Sequence, residues 1–148
     1  MANATKVQQG KKSRASGARF ELKVRKDLED KGWTTDKWTK NIDLEKKQLV
    51  PSKRKFNPFN KVLTIGTGFP DFIAFRRIVG LKKDNFHAYK VIGVESKSSG
   101  LLDKTEKEKC EFLLDKDIFK EILIASKAEK RGQIKYINFK TKEEVSVF

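Results

Sequence analysis

Apolar positions recur at four-residue spacing from Phe20 through Val24 to Leu28, within a stretch that is otherwise polar and charged. The spacing draws one apolar stripe and predicts an α-helix from Ser16, stopped by Gly32. At about 100° per residue, Glu21 falls roughly 20° from Leu28, on the edge of that stripe. "WTTDKWT" follows and reads as a strand. Periodicity then lapses. Asn41 to Lys61, "NIDLEKKQLVPSKRKFNPFNK", is basic and punctuated by Pro51 and Pro58, which predicts a long loop or a poorly regular hairpin.

β-branched and aromatic runs return at Asp71 to Val79 and at His87 to Lys97, with the turn signal "GLKKDN" between them. A hairpin centred near Lys83 sets Asp71 opposite Glu95, to within one residue. Strand alternation puts Glu95 and Lys97 on one face and Ser96 on the other. A second helix is expected over "LLDKTEKEKCEFLLDKDIF", with Cys110, Leu113, Leu114 and Ile118 as its inner stripe and Thr105 with Glu108 as a capping box. "EILIASK" reads as a buried strand, "RGQ" as a turn and "IKYINF" as a last alternating strand. The expected order is helix, three strands, helix, two strands, which is an α/β chain. Residues 1–16 carry almost no large apolar side chains and read as a flexible basic tail, leaving 17–148 as one domain.

Composition changes this picture in one direction. The 148 residues suit a single hydrophobic core, and 11 Phe with 2 Trp are enough to build it although the mean hydropathy is -0.65. Lys and Arg number 34 against 20 Asp and Glu, a formal charge of +14. Such a surface attracts polyanions, nucleic acid first among them. Lys12 and Arg14 in the tail, and Lys53, Arg54 and Lys55 in the basic segment, are the expected phosphate contacts. Phe56 and Phe59 beside them suit a nucleic-acid groove or, equally, a loop tucked onto the core. The single cysteine, Cys110, forms no internal disulfide, and the first residues lack the apolar run of a signal peptide. Both suit a reducing, cytoplasmic setting.

The chemistry resides in four residues: Glu21, Asp71, Glu95 and Lys97. Carboxylates converging on one point repel each other unless a cation lies between them. An all-oxygen set suits Mg²⁺, or Mn²⁺, rather than zinc. A lysine on the same strand face orients a water or stabilises developing charge. In a chain charged to attract a polyanion, that set points to phosphodiester hydrolysis.

Pro70-Asp71 followed by Glu95-Ser96-Lys97 resembles the PD-(D/E)xK nuclease signature, and "GARFELKV…LEDKGW" resembles the first helix of archaeal Holliday-junction-resolvase-like members of that family. The resemblance covers roughly Gly17 to Phe139. It implies a restriction-endonuclease-like fold, with a central mixed β-sheet flanked by α-helices. It also implies metal ligation by Glu21, Asp71 and Glu95, and assistance to the attacking water by Lys97. The implied activity is that of a Mg²⁺-dependent DNA endonuclease, structure-selective on branched DNA and acting as a homodimer. A restriction-type, flap or single-strand nuclease and a non-catalytic basic nucleic-acid-binding module stand as alternatives. Two features depart from the compact resolvases. The segment 39–66 is longer, and the second helix shows no glutamine near its start, where many members carry one; Glu106, Lys107 or Lys109 would occupy that region.

Overall fold

The computed structural model describes residues 2–65, 68–78 and 87–148. The turn expected at "GLKKDN" lies outside these. Helix α1 runs from Ala2 to Asp30, so it begins well before Ser16, within the segment expected to be a tail. Nothing between Val7 and Ser16 breaks a helix except Gly10, and its Gln, Lys, Arg and Ala are good helix formers. A helix nucleated on the packed half therefore propagates back through them. The forward half is a different surface: residues 6–9 and 11–19 are exposed, and among the described side chains the first buried one is Phe20. Gly32 ends the helix as expected. It sits at φ 88°, and the Trp33 N–H reaches back to the Leu28 carbonyl at 3.0 Å.

Strands β1 (Thr34–Lys37), β2 (Lys40–Asp43), β3 (Gln48–Pro51), β4 (Arg54–Asn57), β5 (Val62–Ile65), β6 (Phe72–Arg77) and β7 (Tyr89–Ser96) follow. Helix α2 (Lys104–Asp115) and strands β8 (Ile122–Lys127), β9 (Ile134–Asn138) and β10 (Glu144–Val145) complete the chain. Six strands form one mixed sheet in the order β1-β6-β7-β8-β9-β10. Among the described residues only β7 and β8 pair in parallel, and α2 makes the crossover that a parallel pair requires.

The segment expected as a loop or poor hairpin is two separate hairpins, β2–β3 and β4–β5. Their turns are shaped by side chains that bond local backbone. Asp43 Oδ1 accepts from the N–H groups of Glu45 and Lys46, and Asn57 Oδ1 from that of Phe59. The prolines fit because Pro51 closes a short two-stranded piece and Pro58 lies in a turn.

The sheet is packed on both faces. Phe20, Val24 and Leu28 of α1 cover Phe72, Ala74, Ile92, Val94, Leu123 and Ala125 on one side. Cys110 and Leu113 of α2 cover Phe119, Ile122 and Ile124 on the other, where Ile42 of the first hairpin joins them. A strand buried on both faces needs no alternation, which is why "ILIAS" is continuously buried. Trp33 is in the first cluster, and Trp38 meets Phe119 edge-on at 5.0 Å beside the second. Cys110 is a packing residue whose thiol burial pushes up to about 12. The cap of α2 is Asp103, not Thr105: its carboxylate accepts the Glu106 N–H at 2.8 Å. The chain is thus α/β, a six-stranded mixed sheet flanked by two helices. Among the described residues, no helix is long and apolar enough to cross a membrane.

Candidate active site

Strands β6 and β7 pair antiparallel with Phe72 opposite Val94 and Ile73 opposite Gly93. One step further along this register, Asp71 meets Glu95, as the sequence pattern predicts. Three backbone bonds fix the approach to Asp71. The Trp38 N–H donates to the Asp71 carbonyl, while the Gly68 and Phe69 N–H groups donate to the Trp38 and Lys40 carbonyls. Gly68 passes so close beneath this bend that a Cβ there would collide with the carbonyl oxygens of Trp38 and Lys40.

The two acids are tied crosswise. The Asp71 N–H donates to Glu95 Oε2 at 3.1 Å. The Ser96 N–H and hydroxyl both donate to Asp71 Oδ2, at 2.9 and 2.6 Å. Among the described residues, Asp71 Oδ1 and Glu95 Oε1 accept no hydrogen bond, and the Lys97 ammonium stands 3.9 Å from Glu95 Oε1. Ser96, assigned by alternation to the opposite face, still reaches Asp71 because both lie at their strand ends. Sequence periodicity gave no signal for that.

Burial dominates the electrostatics. Asp71 is 8% exposed and Glu95 6%. Loss of water pushes the Glu95 carboxyl up to about 9, with the charge of Asp71 adding to the effect. Asp71 is also raised by burial, although the two Ser96 bonds and the charges of Lys97 and Lys37 oppose the rise. Glu21 is half-buried on α1 and raised by burial and by Asp71, with Lys37 and Lys97 pulling the other way. It borders the same cleft as Asp71, together with Lys37 and Phe72. Arg25, four residues on from Glu21, binds Glu29 at 3.1 Å.

Lys97 is held by Glu106, whose two oxygens lie 3.0 and 2.9 Å from the ammonium. Partial burial lowers the Lys97 pKa, but Glu106, Glu95 and Asp71 together outweigh that and raise it. Of the polar residues near the start of α2, Glu106 is the one that reaches Lys97. Lys37, opposite Phe72 on β1, is the other contributor that the sequence did not single out, since nothing in a strand of four residues marks its proximity to the acids. Of the basic residues, Lys12 and Arg14 lie on the exposed half of the helix that carries Glu21, Arg14 about 10 Å along its axis from Glu21. Lys53 is exposed in the link between the hairpins; Arg54, also exposed, and Lys55 belong to β4.

Among the described residues, no group of three or more His, Cys, Asp and Glu side chains is placed to hold a metal ion, the expected set of Glu21, Asp71 and Glu95 included. The donor chemistry nonetheless fits magnesium, which keeps several waters and takes one or two carboxylates plus substrate phosphate oxygens. Two buried carboxylates, each with one oxygen bonded to the opposing strand and one that accepts no hydrogen bond among the described residues, provide that number. Compared with known protein families, with curated proteins and with solved structures, the chain finds no match in any of the three.

Proposed function

We propose that this protein is a Mg²⁺-dependent DNA endonuclease of the restriction-endonuclease-like, PD-(D/E)xK kind, selective for branched DNA. The observation that carries the reading is the meeting of Asp71 and Glu95 at the open end of the β6–β7 hairpin, with Lys97 beside Glu95. Two buried carboxyls side by side resist being ionised together, which is why Glu95 is raised so far, and a site that keeps such a pair has a use for a cation.

Asp71 and Glu95 would hold the ion through Oδ1 and Oε1, with Glu21 approaching from α1. Bound there, magnesium supplies Lewis acidity at the scissile phosphate and lowers the pKa of a water. Ser96 keeps the Asp71 carboxylate aimed. Lys97, charged and held by Glu106, orients the water or steadies the negative charge that builds on the phosphoryl oxygens. The excess of basic side chains brings the duplex in through phosphate contacts, without sequence readout. A branch point needs two symmetric nicks, so a twofold homodimer belongs to this reading.

The deciding experiment is a cleavage panel of duplex, flap, single-strand and four-way-junction DNA, with and without Mg²⁺, for wild-type and Asp71→Asn protein. Metal-dependent cutting strongest on the junction and absent from the variant is the expected result. Cutting that favours another DNA shape reassigns the substrate to a flap, restriction-type or single-strand enzyme. No metal-dependent cutting of any DNA leaves a basic binding module.

A further inference from the structure

The second hairpin, β4–β5, forms its own two-stranded sheet, separate from the six-stranded one. Exposed positions of a hairpin ordinarily carry polar side chains. This one displays Phe59 at its turn, 97% exposed, and Phe56 at 61%, with Leu63 directly opposite Phe56 and also exposed. The possibility that these phenylalanines tuck onto the core is therefore not realised. Around them the chain is cationic: Lys53 and Arg54 precede Phe56, and Lys61 follows Phe59. Arg54 shares a strand face with Phe56, two residues on. Asn57 Oδ1 and Asn60 Oδ1 accept the N–H groups of Phe59 and Val62, which closes the turn with Phe59 at its apex.

Aromatic rings exposed among cations suit a ligand that offers flat apolar faces along an anionic backbone. Unpaired nucleobases on a phosphate chain have both properties, whereas in an intact duplex the base faces are stacked away. We infer that the β4–β5 hairpin is a stacking probe for unpaired bases, with Phe59 taking a base from a strand opening and Phe56 extending the platform, while Lys53 and Arg54 hold the phosphates. The inference rests on the DNA-directed reading above and adds what that reading lacks, an element that distinguishes opened DNA from duplex.

The test uses the full chain, with Ca²⁺ in place of Mg²⁺ to prevent cutting. Affinities of wild type, Phe59→Ala and Phe59→Trp are measured by fluorescence anisotropy on a blunt duplex, a splayed fork and a single strand of matched length. Because Phe59 touches so little of the protein, all variants should fold, and circular dichroism checks this. Stacking on one aromatic ring should give Phe59→Ala about tenfold weaker binding to fork and single strand. Duplex affinity should change less than about twofold, Phe59→Trp should behave as wild type, and 2-aminopurine at the fork should lose its protein-dependent quenching with Phe59→Ala alone. Equal losses on all three DNAs, or none, overturn the stacking role while leaving the DNA-directed reading in place. A change in sedimentation with Phe59→Ala and no change on the fork would make the hairpin a contact between copies, and also overturns it. Wild-type protein that binds none of the three DNAs removes both the inference and the reading beneath it.

Discussion

The Asp71 amide donates to Glu95 Oε2 while Ser96, next to Glu95, donates twice to Asp71 Oδ2. Each strand end thus binds the acid of the other, so the two carboxylates are fixed in place although they repel. These bonds tie the pair without any ion or substrate, as the proposed metal-dependent step would need.

Asp71→Asn should abolish cleavage while leaving DNA binding unchanged or slightly tighter, since it removes a negative charge near the phosphate and a charged ligand from the ion. The metal-free protein should be as stable as wild type or more so, because the charge on buried Asp71, penalised chiefly by its loss of water, is removed. Thermal melting with EDTA and a gel-shift titration check both halves. Undiminished cutting by the variant would sink the assignment of Asp71.

The raised Glu95 pKa sets the sign of a pH effect. Its folded value of about 9 lies above the ordinary carboxylate value, so between the two the folded state binds more protons than the unfolded state. The contribution of Glu95 to stability is therefore full below its ordinary value of 4.5 and is lost as pH rises through about 9. Without metal, the melting temperature should fall over that range in wild type and fall less in Glu95→Gln. A parallel decline in both proteins would show that Glu95 is not the group responsible.

Ser96→Ala removes a hydrogen bond of 2.6 Å to a carboxylate. Loss of a bond to a charged acceptor should cost about 1.5 kcal/mol. It should also raise the Asp71 pKa further, moving the acidic limb of the cleavage profile to higher pH. Ser96→Thr, which keeps the hydroxyl, should restore the profile.

Lys97→Ala should lose cleavage yet retain stabilisation by added Mg²⁺, as the ammonium is no ligand. Glu106→Gln should lower kcat with little change in KM, because it loosens Lys97 without touching the substrate. The stability cost should be no more than about 1 kcal/mol, typical of a partly exposed pair. A purely structural Glu106 would leave kcat unmoved.

Gly68→Ala tests the backbone under the site. The added methyl meets two carbonyl oxygens that cannot step aside, so roughly 3 kcal/mol of stability should be lost. Deleting residues 1–16 should do the reverse: leave the melt unchanged, because packing starts at Phe20, and weaken DNA binding modestly through lost Lys12 and Arg14. The slope of log K against log salt should drop by about 0.9 for each phosphate contact removed.

How much of this was legible beforehand depends on how local the signal is. The stripe Phe20, Val24 and Leu28, the stop at Gly32 and the pairing of Asp71 with Glu95 follow from periods of 3.6 and 2, which sequence displays directly. Charge balance and the identity of the two acids are likewise written in the chain. What the sequence by itself determined was therefore the packed half of α1, the elements β1, β6, β7, α2, β8 and β9, the net positive charge and the acid pair. The beginning of α1 was missed because helix propensity in an exposed polar segment is weak and shows no periodicity. The two hairpins were missed because their turns are made by Asp43 and Asn57 side chains, a signal spread over two or three residues in a stretch that reads as loop. Tertiary structure alone decided that Lys97 pairs with Glu106 across a helix start, that Ser96 and Lys37 join the acids, and that Phe56 and Phe59 stand in solvent. Those facts depend on which elements pack together, and the sheet order β1-β6-β7-β8 is a property of the whole chain that no local pattern encodes.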